Sequence, residues 1–212
     1  QSGTPKAGIA AASTFTTVTY NDNGGKVQFA SAGVHGLTTS PAVGAWLLVT
    51  WSGGTAVTGM YKILTVDSTN LVTVDLVHAA GLGSPVIGKP NDLLPLGVVT
   101  IPANAMKANG SIAFESGFVA DAGGGKTFEI RWNGSYVDDN GVSAGSSISP
   151  RWGVFNHGVA NANTYYYKDG FVKTSLTVDT SAASTITLNG TADVANERIT
   201  LQYFSAILWP KA

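Results

Sequence analysis

The sequence predicts an all-β protein, and three observations support that fold class. Apolar and polar residues alternate along short segments, as in residues 71–76 and 127–132, which places the apolar side chains of each segment on one face of a strand. Five Asn-Gly dipeptides punctuate the chain, and both of their positions suit tight hairpin turns. Valine, threonine and aromatic residues are common, whereas the helix formers glutamate, lysine and leucine are scarce.

The chain is predicted to contain two β-modules. Residues 79–96 carry three prolines and no alternation, which is typical of a linker. This linker separates a small barrel-like β-module, residues 14–78, from a larger antiparallel β-sandwich of the jelly-roll type, residues 97–212. Residues 1–13 are expected to form a loose arm, and residues 102–106 a single helical turn.

Composition restricts the classes of partner. Only 12% of the 212 residues are charged, against about 25% in an ordinary soluble domain, and 26 are glycine. Such a surface suits a protein that packs against neighbours. The formal net charge is −1 without a basic stripe, so we expect no nucleic-acid binding. No stretch of about 18 apolar residues occurs, so we expect no membrane-spanning segment.

The C-terminal segment 199–209 is apolar on both faces if it alternates strictly. One face would then carry Ile199, Leu201, Tyr203, Ile207 and Trp209, and the other Phe204, Ala206 and Leu208. A sandwich buries only one face of each strand, so the second face needs cover from another surface. We expect a second copy of the chain to supply it, with Phe204, Leu208 and Trp209 as candidate interface residues.

No catalytic or metal-binding constellation is evident, so we expect neither enzyme activity nor a cofactor or metal. Residues 123–127 resemble the end of a phosphate-binding loop, but Ala120 occupies the position of its first glycine and a strand follows. The chain has no cysteine, and its histidines lack metal-ligand spacing. Glu115 and Glu129 are expected to pair with basic neighbours such as Lys126 and Arg131 rather than to form a hydrolytic pair.

Two groups of residues are candidates for ligand binding. Tyr166 and Trp152 are expected to offer exposed rings on which sugars or proteins stack, although alternate tyrosines of 165–167 also fit a core. Asp138 and Asp139 precede an Asn-Gly dipeptide, and their carboxylates suit either calcium or the side-chain hydrogen bonds of a turn.

One pattern of motifs lies in the first module. Its parts are His35-Gly36-Leu37, 44–51, Ser52-Gly53-Gly54, 59–66 and 71–76. This spacing resembles a small β-module that recurs in bacteriophage tail and other virion proteins. Residues 38–43 form an insertion between the His-Gly-Leu motif and the glycine that follows it.

A second pattern opens the larger module. It begins with Ile101-Pro102-Ala103-Asn104, continues through Met106 and Asn109-Gly110, and resumes at 126–134. It is similar to the opening of jelly-roll domains in phage head-fibre, capsid-decoration and tail-fibre proteins. Lys107 stands where those domains often carry glycine, and Trp132-Asn133 replaces their paired glycines.

These resemblances imply a homotrimeric structural protein on the surface of a phage virion. The first module and the arm would dock on the particle, on its capsid or its tail, and the jelly roll would project outward. Its partners would be other copies of the chain and other virion proteins. The alternative is a lectin-like module for host attachment, in which Trp152, Tyr166 and residues 138–141 bind a surface glycan.

Overall fold

The computed structural model describes residues 6–121, 123–156, 164–168, 171–176 and 179–210, with side chains for all of these except 164–168 and 171–176. The predicted all-β class is confirmed. The described residues form seventeen strands in two sheets, and their one helical segment is α1 (Thr39–Ala42). No described helix has the length and apolar character needed to cross a membrane.

Thirteen of the strands form one long sheet, in the order β15-β14-β13-β9-β17-β1-β4-β5-β6-β3-β2, with β12 paired to β9 and β7 to β4. The strands before residue 90 are β1 (Ala7–Ile9), β2 (Thr19–Asn23), β3 (Lys26–Ala30), β4 (Trp46–Ser52), β5 (Gly59–Val66), β6 (Leu71–Val77) and β7 (Ser84–Ile87). Those after it are β9 (Ser111–Ala120), β12 (Ser147–Ile148), β13 (Arg151–Asn156), β14 (Thr164–Lys168), β15 (Phe171–Leu176) and β17 (Arg198–Trp209).

The second sheet has four strands in the order β11-β10-β16-β8. They are β8 (Leu94–Ile101), β10 (Lys126–Trp132), β11 (Ser135–Val142) and β16 (Ser184–Ala192). This sheet packs on the C-terminal part of the long sheet, which confirms the β-sandwich. Phe118 of β9 and Phe128 of β10 meet across the sandwich with ring centroids 3.6 Å apart. Buried residues form two clusters, one within residues 9–87 and the other within residues 94–204.

The first cluster is enclosed by an open sheet. Among the described residues no closed barrel forms, because β2 ends the sheet order and β7 pairs only with β4. The turn before β7 contacts β2, because the backbone N–H of Leu82 donates to Tyr20 Oη at 3.1 Å. The barrel-like module therefore has a seam between these two strand edges.

The prediction of a loose N-terminal arm is wrong. Residues 7–9 form β1, which runs antiparallel to β17 on one side and parallel to β4 on the other. Ile9, Ala10 and Ala11 are fully buried. A segment of three residues carries too little periodicity to be recognised as a strand, and its conformation is dictated by the two edges it joins.

The prediction of a linker at residues 79–96 is also wrong. Residues 84–87 form β7 on the edge of β4, and β8 begins at Leu94. Leu94 and Leu96 are fully buried in the second cluster. Pro85 lies in β7 because proline lacks only the N–H donor, which an edge strand can spare.

The Asn-Gly dipeptides predicted the positions of the turns only in part. Asn133 and Gly134, both with positive φ, connect β10 to β11 as expected. The first hairpin instead turns on Gly24 and Gly25, one residue later than its Asn-Gly dipeptide. The dipeptides at 140–141 and 189–190 lie inside β11 and β16, because the ladders of neighbouring strands override a local turn preference. Residues 102–106 form turns rather than helix.

A β-bulge in β17 corrects the predicted faces of the C-terminal strand. Leu201 opposes Phe118 and Tyr203 opposes Gly117, so Gln202 is an extra residue without a partner on β9. An extra residue reverses the alternation beyond it. Before the bulge the odd-numbered Leu201 faces the core, and after it the even-numbered Phe204 does.

Candidate functional site

Among the strands whose side chains are described, β17 has the most large apolar side chains on an exposed face. Beyond the bulge, Tyr203, Ile207 and Trp209 point away from the core, and 42%, 54% and 49% of their surfaces are exposed. Three large apolar side chains on one strand form a patch, unlike the singly scattered apolar residues that any surface carries.

Small residues of the neighbouring strands keep this face flat. Ile207 lies opposite Ala113 of β9, and Ala113 lies opposite Gly153 of β13. Residues paired directly across strands point to the same face. On β9 and β13, nothing larger than a methyl group therefore stands beside Ile207 in this row, which borders a hollow of about 170 Å³.

The next row of the face is polar. Ser205 lies opposite Glu115, and Glu115 lies opposite Arg151. Arg151 Nη2 and Glu115 Oε1 are 3.1 Å apart, with 73% and 41% of the two side chains exposed. An ion pair this exposed contributes at most about 1 kcal/mol to stability, but it gives the face a fixed donor and acceptor.

Gly117 allows the Tyr203 ring to lie against the sheet. A Cβ atom at position 117 would overlap Tyr203 Cε1, so the ring covers the space that a side chain would occupy. Both residues belong to the bulge, since Gly117 is the partner of Tyr203 in the ladder. The apolar outer surface of Tyr203, Ile207 and Trp209, with Ala113 and the Arg151–Glu115 pair, is called the β17 face below.

The structure places the three predicted interface residues in different environments. Phe204 is 5% exposed and belongs to the core, so it is not available for contact with another copy. Leu208 is half-buried and packs on the same core. Trp209 is on the β17 face as an interface residue would be, whereas Tyr203 and Ile207 were missed. The signal for them was the polar residues, which shift from even positions (Thr200, Gln202) to an odd one (Ser205).

Trp152 is a core residue, and not the exposed ring that the sequence suggested. It is 1% exposed, its ring lies 5.1 Å from that of Phe128, and its Nε1–H donates to Asp138 Oδ2 at 2.9 Å. Asp138 and Asp139 lie within β11, not on a turn, and Asp139 is opposite Glu129. The side chain of Tyr166 lies outside the described residues.

The glycine-rich loop at 123–125 holds carboxylates of this chain. The Gly124 N–H donates to Glu197 Oε1 at 2.6 Å, and the Gly125 N–H donates to Asp193 Oδ2 at 2.8 Å. Lys126 Nζ lies 2.9 Å from Glu197 Oε2, with its own side chain fully buried. These contacts use the donors that a phosphate would need, so the loop fastens β10 to the connection before β17.

The remaining acids and histidines are dispersed. Glu129 pairs with Arg131, as expected, but Glu115 pairs with Arg151, and the two acids lie in different sheets. His35 is buried, with its Nδ1 accepting from the Leu37 N–H at 2.9 Å. Within the described part of the chain, no three histidine or acidic side chains come together as metal ligands. His157 lies outside that part.

Comparison with known proteins assigns no family. No family model matches the sequence, and no curated protein matches it. An alginate lyase from Corynebacterium sp. is similar in structure with a TM-score of 0.33 and 9% identity, over 96% of this chain and 93% of that one. Dimeric latent PorU from Porphyromonas gingivalis gives a TM-score of 0.30 and 11% identity, over 90% of this chain and 14% of that one.

A third solved structure is the CBM2 module of the evolved Dit of Lactobacillus casei BL23 phage J-1. It has a TM-score of 0.31 and 13% identity, over 99% of this chain and 100% of that one. All three structures are less than 25% identical to this chain and have TM-scores well below 0.5. These similarities do not identify a family for the chain.

Proposed function

We propose that the protein is a structural component of a bacteriophage virion that acts by self-assembly. It would form a homotrimer and decorate the capsid, as a head fibre or decoration protein does, or form part of a tail appendage. The first module and the N-terminal segment would dock on other virion proteins. The motif resemblances at 35–76 and 101–134 suggest the virion, and the β17 face suggests assembly.

The observation that carries the assembly proposal is the pattern of exposure on the β17 face. Tyr203, Ile207 and Trp209 are each about half exposed, which costs free energy in water unless another surface covers them. Aromatic anchors over a flat surface of small residues are typical of the centre of protein interfaces. A cyclic trimer would place this face against a neighbouring copy and leave the particle-docking end free.

The experiment compares sedimentation of the wild-type chain with that of the double variant Ile207→Asp and Trp209→Asp. We expect the wild type to sediment as a trimer and the variant as a monomer, because two carboxylates would have to be desolvated at the interface. Val98→Asp is the matched control, since Val98 is 51% exposed but lies on β8, in the other sheet. It should remain trimeric.

Two outcomes would contradict this assignment. A wild-type chain that is monomeric at all accessible concentrations would exclude self-assembly. A double variant that keeps the wild-type sedimentation coefficient would exclude the β17 face. Immunogold labelling of the protein on intact particles would then distinguish capsid from tail, and an unlabelled particle would exclude the virion location.

Host-glycan binding is the second candidate function, and one observation favours it. The exposed rings of Tyr203 and Trp209 flank the Arg151–Glu115 pair on a single face. Aromatic rings that stack on sugars, with a charged pair that hydrogen-bonds hydroxyl groups, form the usual chemistry of such a site. Binding to a glycan array that Trp209→Ala abolishes, in a chain that sediments as a monomer, would favour this candidate.

A further inference from the structure

A lysine points into the core of the sandwich at the start of β10. Lys126 occupies the first position of that strand and lies on the same face as Phe128 and Trp132, which belong to the second core cluster. Its ladder partners Val142 and Ala192 are also buried. The Lys126 side chain is 0% exposed, and a lysine is almost never fully buried unless its charge is paired.

Glu197 meets this lysine from the connection before β17. Lys126 Nζ lies 2.9 Å from Glu197 Oε2, and 14% of the Glu197 side chain is exposed. Among the described residues this is the most buried of the ion pairs. Two charges that leave water lose hydration that their mutual attraction only partly restores. A reaction that removes both charges and keeps the two side chains in contact therefore has a driving force at this position.

The glycine-rich loop fits closely around the Glu197 carboxyl group. The Gly124 N–H donates to Glu197 Oε1 at 2.6 Å, and the Gly124 carbonyl accepts from Lys126 Nζ at 3.1 Å. A Cβ atom at Gly123, where φ is +126°, would lie 1.7 Å from Glu197 Oε1, so glycine is needed there for the carboxyl group to come this close. One peptide unit thus orients both the amine and the carboxyl group, which is how a site brings two groups into position to react.

The main chain that carries Glu197 is held in place by the residue before it. Asn196 has a φ of +64°, and its backbone N–H donates to the Ala10 carbonyl at 3.0 Å. Its Oδ1 accepts from the Thr38 N–H at 2.9 Å, and its Nδ2 donates to Thr38 Oγ1 at 2.8 Å. A group supported in this way meets its partner without first being ordered.

We propose that Lys126 and Glu197 of the folded chain condense into an intramolecular isopeptide bond. One Nζ proton passes to Glu197 Oε2 along their hydrogen bond, which leaves an amine and a carboxylic acid. Nζ then attacks Glu197 Cδ, while the Gly124 N–H stabilises the negative charge that develops on Oε1. The Cδ–Oε2 bond breaks, and Oε2 leaves as water with the proton it received and a second proton from Nζ. The third Nζ proton remains on the amide.

Both polar groups of the new amide have partners already in place. Glu197 Oε1 becomes its carbonyl oxygen and keeps the Gly124 N–H, and the remaining Nζ–H donates to the Gly124 carbonyl. The bond joins β10 of the four-stranded sheet to the connection before β17 of the long sheet, between residues 71 positions apart. The chain has no cysteine that could form a disulfide instead. This inference does not depend on trimer formation or on the virion location.

The mass of the intact wild-type chain tests the bond. Condensation expels one water molecule, so we expect a mass about 18 Da below the value calculated from the sequence. Lys126→Arg is the matched variant, because its guanidinium group stays charged and can pair with Glu197 but is not a nucleophile. Its mass should equal the calculated value. A wild-type mass equal to the calculated value, or the same loss in Lys126→Arg, would overturn the proposal.

Tryptic mapping locates the bond. Trypsin does not cut after an acylated lysine, so we expect residues 108–131 to be recovered in one fragment, joined to the fragment 174–198 that contains Glu197. Lys26 is the internal control, because its Nζ lies 2.5 Å from Asp75 Oδ1 but 37% and 52% of the two side chains are exposed. Hydration keeps that pair ionic, and trypsin should cut after Lys26. A bond between Lys26 and Asp75, or one that does not involve Lys126 and Glu197, would contradict the assignment.

The size of the denatured chain gives a second readout that does not require Lys126→Arg to fold. A loop closed between residues 126 and 197 restricts the unfolded chain and makes it more compact. The wild-type chain should therefore migrate ahead of Lys126→Arg in a denaturing gel. Equal migration of the two chains would show that no such loop is closed.

Discussion

At the scale of single residues, Trp152 is buried because its one polar atom finds a partner in the opposite sheet. The hydrogen bond from Trp152 Nε1 to Asp138 Oδ2 satisfies the indole and an acidic side chain together. Burial of a large aromatic ring with its N–H satisfied is strongly stabilising. The sequence suggested an exposed ring because Trp152 follows an arginine. Its burial depends on Asp138, which lies on a strand of the other sheet.

Replacement of Trp152 by alanine should therefore destabilise the fold rather than remove a binding site. We expect Trp152→Ala to lower the free energy of unfolding by about 3–5 kcal/mol, as for other buried aromatic residues. Val57→Ala, at a side chain that is 75% exposed, should change it by less than about 0.5 kcal/mol. Urea denaturation measures both. A Trp152→Ala chain as stable as the wild type would place the ring outside the core.

The stability of the first module is expected to depend on pH through the carboxyl group of Asp67. Partial burial raises the pKa of its carboxyl group, but hydrogen bonds from Thr73, Thr65 and Gln28 outweigh this effect. The pKa of Asp67 therefore lies below its ordinary value of 3.8. Since the folded state prefers the charged form, Asp67 stabilises the protein above its unfolded pKa, and this contribution is lost as pH falls through the lower, folded value.

The direction of this pH dependence can be tested with the variant Asp67→Asn. We expect the variant to unfold at lower urea concentration than the wild type at pH 7, and the difference between their midpoints to shrink below about pH 4. Urea titrations of both chains at pH 7 and pH 3 measure the two differences. If the urea midpoints of the wild type and the variant differ by the same amount at pH 7 and at pH 3, the charge of Asp67 does not stabilise the fold.

At the scale of elements, the bulge at Gln202 determines which side of β17 is exposed. Deletion of Gln202 would remove the extra residue and leave a regular ladder, in which Leu201 and Phe204 still face the core while Tyr203 and Ile207 still face outward. We therefore expect this deletion to lower the free energy of unfolding by no more than about 1 kcal/mol, because no buried side chain changes face.

Gln202→Ala is the control for that deletion, because it keeps the length of β17 and Gln202 is exposed. Its effect should remain within about 0.5 kcal/mol. Thermal unfolding followed by tryptophan fluorescence compares the two variants. A deletion that loses about 3 kcal/mol or more, the usual cost of losing a buried aromatic side chain, would show that Gln202 is not the extra residue of the ladder.

The elements that the sequence predicted well are those with one buried face and a partner on each side. Residues 71–76 and 127–132 lie in β6 and β10, and their apolar faces could be predicted because the alternation of the sequence matches the pleat of a strand. The bulge could not be predicted, because Gln202 is an ordinary polar residue. β7 was not recognised because the three prolines of residues 79–96 suggest a linker, whereas the edge of β4 tolerates Pro85.

The candidate site was predictable only in part, because the sequence did not show the bulge in β17. The need to cover the C-terminal strand followed from its composition, and Trp209 was among the candidate interface residues. Phe204 was misplaced because the phase of a strand is a property of its ladder, which depends on Gly117 and Phe118 some eighty residues earlier. The seam between β2 and β7 has no sequence signature at all.

At the scale of the whole molecule, β1 joins the halves of the long sheet. Gly8 lies so close to β8 that a Cβ atom would be 2.8 Å from Leu96 Cδ2 and 2.9 Å from Leu94 Cδ1. A larger side chain there requires either that Leu94 and Leu96 shift or that β1 moves from its position between β17 and β4. Glycine at this position is thus favoured by packing.

Gly8→Val should consequently loosen the joint between the two halves. We expect a loss of about 1–3 kcal/mol, as for other overpacked sites, together with faster hydrogen exchange along β4 and β17. Gly59→Ala is the control, because Gly59 is also in a strand but an added Cβ meets no atom within 4 Å. Identical exchange in the two variants would show that β1 does not hold the sheet together.

The position of β1 also has a consequence for synthesis on the ribosome. Its residues pair with β17, so Ala7 contacts Thr200 and Gly8 contacts Ile199. The ribosome makes β1 well before β17, and the sheet cannot be completed in the interval. Contacts so distant in sequence slow folding, because the intervening chain must be ordered first. Until β17 has been synthesised, β1 lacks one of its two partner strands, and the apolar residues that this pairing buries stay exposed to aggregation.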